Sequence, residues 1–213
     1  MFMNDFKKPL QRYLIAIILV CGVFYLFIPN LSHEIQLVFR DQPKLSFTKV
    51  KGVTQDMLVV SGVVYAGSID DFKSAMERYP NTSILCFKKV VGNMDELINI
   101  ALGREIHQRR LKTVLLKGGS LDAGALDLFL SGVDRVVCWP SNMELVNVDN
   151  PNMVDDNPSN GILDEMYLDY YNDVGVNKNF RQFKLQVSTD SIPDMPLMTK
   201  EHIYKYGIGT IID

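Results

Sequence analysis

Cysteine is scarce in this 213-residue chain: Cys21, Cys86 and Cys138 are all it has. Three so widely spaced thiols exclude a disulfide framework, and no two stand at the short spacing of a zinc site. Cys21 falls inside an apolar run, which leaves Cys86 and Cys138 as a candidate pair against the simpler reading of two separate buried thiols. Excess positive charge is missing too. Lys and Arg total 22 against 25 Asp and Glu, a net charge of -3. The basic residues are scattered along the chain, which excludes the long cationic stripe of a nucleic-acid binder. Internal repeats and low-complexity tracts are absent, and no motif calls for a cofactor or a metal. The Asn, Asp and Pro-rich stretch 147–161, NVDNPNMVDDNPSNG, fails the calcium-loop pattern, because Pro158 takes a ligand position and no glutamate closes it.

What is present begins with one long apolar run. Tyr13 to Ile28 reads YLIAIILVCGVFYLFI, without a charge, preceded by Lys7, Lys8 and Arg12 and closed by Pro29. As a helix it reaches roughly 24 Å, a little under the usual hydrocarbon thickness of about 30 Å, so Leu10 and Leu31 or local thinning must help. The basic flank predicts a cytoplasmic N-terminus and an exported remainder. A cleaved signal is disfavoured because FYLFIPN lacks an A-x-A site, and a lipoprotein signal because no small residue precedes Cys21. The expected organisation is a cytoplasmic segment 1–12, a membrane anchor 13–31, a connector 32–57 and a domain 58–213. The expectation is a single-pass protein of a bacterial inner membrane with its domain periplasmic or otherwise extracytoplasmic.

The remainder, 47% hydrophobic and 22% charged over the whole chain, has the composition of one globular domain. The connector contributes a strand over 44–50, and MLVVSGVVYAG reads as a strand interrupted at Gly62. A helix follows with Phe72, Ala75, Met76 and Tyr79 at helical spacing, then the strand SILCFKK. The next helix carries Met94, Leu97, Ile98, Ala101, Leu102 and Ile106 on one face, with Asn93 and Glu96 as its capping box. KTVLL, a helix from Ala123 to Leu130 and DRVVCW complete a strand and helix alternation. That order predicts an α/β fold with mainly parallel strands. Beyond the polar loop at 147–161, Leu163, Met166, Tyr167, Tyr170, Tyr171 and Val174 mark a helix whose tyrosine stripe suits a core or a subunit contact. Phe180, Phe183 and Val187 mark another, and a last helix runs from a Thr199 cap to Gly207.

Several stretches resemble the ClpP/crotonase superfamily, above all its small exported bacterial ClpP-like serine hydrolases, through most of 58–207. SGVVYAGSIDDF is similar to the family's strand ending in G-x-I-x-x-G before a Phe-bearing helix. Lys89-Val90-Val91-Gly92-Asn93-Met94-Asp95-Glu96 stands where the family has S-P-G-G-S-V-D-E, and EIHQRRLKT keeps part of I-R-x-x-x-L-x-T. Ala123-Gly124-Ala125-Leu126-Asp127-Leu128-Phe129-Leu130-Ser131-Gly132 resembles the nucleophile segment S-G-x-x-D-L-F-L-A-G. YLDYYNDVGV and MTKEHIYKYGI resemble its YY-x-x-x-G and M-T-x-x-E-I-x-x-Y-G-I signatures.

The resemblance implies repeated strand-helix units and acyl-transfer chemistry, which needs a serine, a base and backbone N–H donors for the oxyanion. The serine position is Ala123, and a methyl group cannot attack. Ser120 is the nearest substitute hydroxyl, against its simpler reading as a turn serine. The base position falls near Val137, Cys138 and Trp139, while His33, His107 and His202 lie elsewhere. Oxyanion-hole-like donors are expected at Val91, Gly92 and Gly124, with Val91 in place of the family's first glycine. Losing nucleophile, base and glycine together points to a catalytically inactive domain that binds a peptide or protein partner, with no cofactor. The alternative is a serine hydrolase or peptidase using Ser120. A crotonase-like acyl-thioester enzyme would need only the oxyanion hole, but sits poorly with export. Family habit adds a homo-oligomer, with the tyrosine helix from Ile162 to Val174 as its candidate contact.

Overall fold

The computed structural model describes residues 43–51, 57–93, 95–145, 158–189 and 197–213, all within one compact unit, Gln42–Asp213. Strand β1, Ser46–Lys49, lies in the connector and pairs antiparallel with β2, Met57–Val64. Helix α1, Ser68–Arg78, leads to β3, Ile84–Asn93; helix α2, Glu96–Gln108, leads to β4, Lys112–Leu121; and helix α3, Ala123–Phe129, leads to β5, Arg135–Cys138. From β2 to β5 every step is to the next parallel neighbour. Right-handed crossovers that all step one way put their helices on one face. Accordingly α1 packs on α2, and α2 on α3. The apolar side chains pointing to that face make the core. Phe47 meets Phe72 with ring centres 5.4 Å apart, and Phe87 meets Phe129 edge-on at 5.7 Å. Fully burying each such ring is worth about 1.5–3 kcal/mol.

Two short strands escape a sequence reading. β6, Asn142–Met143, joins the far half of β4, and β7, Thr210–Ile212, closes the sheet beside β5. At two and three residues they are too short to show periodicity, and pairing with a long neighbour defines them. Three helices complete the unit: α4, Pro158–Asp173; α5, Asn179–Thr189; and α6, Lys200–Tyr206.

Several expectations are corrected. β2 is continuous through Gly62, which takes φ +111° and a register shift instead of ending the strand. The cap of α2 is Asp95, whose carboxylate accepts from the Leu97 and Ile98 N–H groups, because β3 stays extended through Asn93. The buried stripe of α2 is Asn99, Ile100, Leu102, Gly103 and Ile106, while Leu97 is 56% exposed. Apolar spacing alone misplaces that face, since a polar Asn and a Gly belong to it. The polar loop gives way to α4 already at Pro158, a residue preorganised for the first turn of a helix. The tyrosine stripe belongs to the core, with Tyr167, Tyr170 and Tyr171 at most 2% exposed. Thr199 and Gly207 cap α6 as expected, Thr199 in a capping box with His202 and Gly207 at φ +64°.

Cys86 and Cys138 are free thiols, and burial together with the nearby Cys138 pushes the Cys86 thiol up. Among the described residues no helix is long and apolar enough to cross a membrane. The run Tyr13–Ile28 lies outside the described residues, as do His33, Met94 and most of the 147–161 loop.

Candidate functional site

The predicted site residues gather where β3 and β4 end. Gly92 sits near the end of β3 at φ +73°, a backbone conformation that side chains resist. Asp122 follows β4, its N–H donating to the Val90 carbonyl, and caps α3 by accepting the Ala125 N–H at 3.0 Å. The same carboxylate lies against the Gly92 backbone, whose N–H draws its pKa down. The contact is close: a Cβ on Gly92 would stand 2.7 Å from Asp122 Oδ2. A carboxylate of the chain itself thus stands against a backbone donor expected to face an oxyanion. Burial raises the Asp122 carboxyl, and the two N–H bonds and the charge of Lys184 only partly offset it.

Ala123 is the first residue of α3 and 6% exposed, followed by buried Gly124. Val91 is half-buried beside Gly92. Ser120 lies within β4, paired with Lys89 on one side and Asn142 on the other, half-buried and three residues before the helix. The structure therefore brings Val91, Gly92, Ala123 and Gly124 to one place. The histidines are elsewhere: His107 bonds the Ser131 carbonyl from α2, and His202 caps α6.

Behind Ala123 lies a polar cluster that no sequence motif announces. Lys184, from α5, places Nζ 2.8 Å from both carboxylate oxygens of Asp127 and 3.1 Å from the Ala123 carbonyl oxygen. Both side chains of the pair are buried, at 6% and 3% exposure. The Tyr171 hydroxyl donates to Asp127 Oδ1, and the Tyr170 hydroxyl donates to the Asp127 backbone carbonyl at 2.8 Å. Tyr167 donates to Glu96, and Asn99 donates to the Gly124 carbonyl at 3.0 Å. Gly103 lets α4 come this near, since a Cβ there would meet the Tyr170 hydroxyl at 2.3 Å. Burial, reinforced by the Asp127 charge, pushes Tyr167, Tyr170 and Tyr171 up, so they remain hydroxyl donors at neutral pH. A lysine can act as a base only when neutral and free to reach a proton. Lys184 instead has its ammonium spent on the Asp127 carboxylate and the Ala123 carbonyl, behind the residue that would carry the nucleophile.

No protein-family model matches the chain, and no curated protein does. Solved structures match. A serine-to-alanine mutant of 1510-N, a membrane-bound stomatin-specific protease, superposes with a TM-score of 0.50 at 13% identity, over 73% of this chain and 77% of that one. A lysine-to-alanine mutant of the same protease with a substrate peptide gives 0.49 at 11%, over 73% of each. An enoyl-CoA hydratase from Mycobacterium marinum gives 0.48 at 13%, over 79% and 76%. At these identities the likeness is one of fold. The chain has the ClpP/crotonase-like fold, as its motifs predicted.

Proposed function

We propose that this chain is a membrane-anchored, extracytoplasmic ClpP-like domain that binds a peptide or protein partner without hydrolysing it. The observation carrying the reading is the Asp122 carboxylate on the Gly92 N–H, beside a methyl group at Ala123. An oxyanion hole works by offering unpaired donors to developing charge. Here a carboxylate already faces one donor, no hydroxyl stands at the helix start, and Lys184 is held by Asp127. Backbone edges near Val91 and Gly92 can still contact an extended chain, since main-chain pairing does not depend on a nucleophile. The anchor rests on the run Tyr13–Ile28 and its basic flank, and the periplasmic placement on the charge rule. A solved neighbour of this fold is a membrane-bound protease, which fits an anchor.

Full-length chain mixed with fluorescent unfolded casein is expected to raise the anisotropy and leave the casein intact. Cleavage that Ser120→Ala abolishes would establish the alternative, a hydrolase or peptidase using Ser120. Self-association, the third element, has an exposed surface on α4, where Ile162 is 65% and Leu168 40% exposed. A single monomeric species in sedimentation would remove it.

A further inference from the structure

Along β3 and β4 the pairing breaks once. Phe87 faces Leu115 and Lys89 faces Ser120, so two residues on β3 span the length taken by five on β4. The slack changes what each strand shows. On β3 the alternation fails, and consecutive Lys88 and Lys89 are both exposed between buried Phe87 and Val90. On β4 the extra residues form a bulge that exposes Lys117 and Gly118, with Gly118 at φ +69° and its N–H donating to the Pro140 carbonyl at 2.7 Å. Gly119 draws the bulge against β3, for a Cβ there would lie 3.0 Å from the Lys88 carbonyl oxygen. Adjacent Lys88 and Lys89 thus come beside Lys117, nearly thirty residues on, along neighbouring strands of the sheet.

Among the described residues most other lysines are engaged, Lys51, Lys73 and Lys178 excepted. Lys112, Lys184 and Lys200 have carboxylate partners, and Lys44, Lys49 and Lys205 lie over aromatic rings. Among the described residues, Lys88, Lys89 and Lys117 have neither. A chain of net charge -3 thus carries neighbouring exposed lysines with no carboxylate partner among the described residues.

We propose that Lys88, Lys89 and Lys117 form a face that docks the domain on anionic phospholipid headgroups. The tether argues for this occupant, and to that extent the inference rests on the anchor reading above. Residues 29–42 separate the apolar run from Pro43, a link of at most roughly 50 Å when fully extended. Pro43 enters the sheet beside the patch. Its carbonyl accepts the Val63 N–H at 2.9 Å, it backs onto Gly62, and Gly62 and Ser61 pair with Val90 and Lys89. The side of the domain where the tether arrives is the side carrying the lysines. Each basic residue brought to an anionic surface strengthens binding by roughly fivefold, so three give about a hundredfold.

The test uses the full-length chain in nanodiscs of phosphatidylcholine, with or without phosphatidylglycerol, and a water-soluble acetylating reagent read by mass spectrometry. Acetylation of Lys88, Lys89 and Lys117, relative to exposed Lys178, is expected to fall at least tenfold in the anionic discs. Raising salt from about 0.1 M to about 1 M, which shortens the screening length from about 10 Å to about 3 Å, should restore it. Equal rates in the two discs overturn the proposal, and so does equal protection by inorganic phosphate in neutral discs, which would indicate a free-anion site. Alkaline carbonate extraction reports the anchor separately. Should carbonate strip the chain, pelleting with anionic vesicles takes over: the patch predicts about hundredfold weaker pelleting for the Lys88→Gln, Lys89→Gln, Lys117→Gln variant, and no difference refutes it.

Discussion

The two sides of α3 make opposite use of charge. In front, at Ala123, a carboxylate rests on backbone donors, half-buried and with its proton affinity raised by burial. One turn along and behind, Asp127 is 2% exposed, bound by an ammonium and a tyrosine hydroxyl. The front keeps the outline of a reaction site with its donor taken, whereas the back is a filled polar core. Buried ion pairs of this kind add little net stability over apolar packing, yet losing one partner is costly because the other stays charged and unsolvated. The comparison implies that the back fixes the position of α3 and the front can change without unfolding the domain.

The largest expected effect comes from breaking the back. Lys184→Met should destabilise the full chain by about 3–5 kcal/mol in urea unfolding, and adding Asp127→Leu should recover most of that loss. If the single and double variants are equally unstable, the pair is not what holds α3. Next comes Tyr171→Phe, which removes a hydrogen bond to a charged group and should cost about 1.5–3 kcal/mol.

How much of this was legible follows the same division. The front could be read because its residues are consecutive: 89–96 and 123–132 each form a single motif, and Ala123 and Gly124 take their places at one helix start, although Asp122, just ahead of the motif, is missed. The back could not be read. Lys184, Tyr171 and Asp127 lie tens of residues apart, and Asp127 looked like an ordinary polar position in a family pattern. One signal was available: a charged residue inside the otherwise apolar AGALDLF demands a buried partner, and a lysine amid Phe180, Phe183 and Val187 could have been suspected. The strands were legible where they were apolar. They were not where β3 continues past Lys89 to Asn93 and β4 past Leu116 through Lys117 to Leu121, because a register break abolishes the period-two signal on which strand reading depends. Scattered basic residues in the sequence became a patch for the same reason.

The front gives the smallest effect and a sign. A carboxyl raised in the folded state adds stability that is fully present below its unfolded pKa, near 3.9, and that fades as pH rises through the folded value. Asn caps a helix as well as Asp and cannot ionise. Asp122→Asn should therefore match the wild type near pH 4 and exceed it modestly at pH 7 in urea unfolding. A variant that matches the wild type near pH 4 but falls below it at pH 7 would mean that the carboxylate is stabilised, not strained, beside Gly92.

The most direct test of a closed site is fluorophosphonate labelling of three full-length chains side by side: wild type, Ala123→Ser and Ser120→Ala. With Asp122 on the Gly92 donor and Lys184 held by Asp127, none should take the label, the restored serine included. Labelling of the wild type that vanishes in Ser120→Ala, or strong labelling of Ala123→Ser, would contradict the account and show a reaction centre still competent behind its missing hydroxyl.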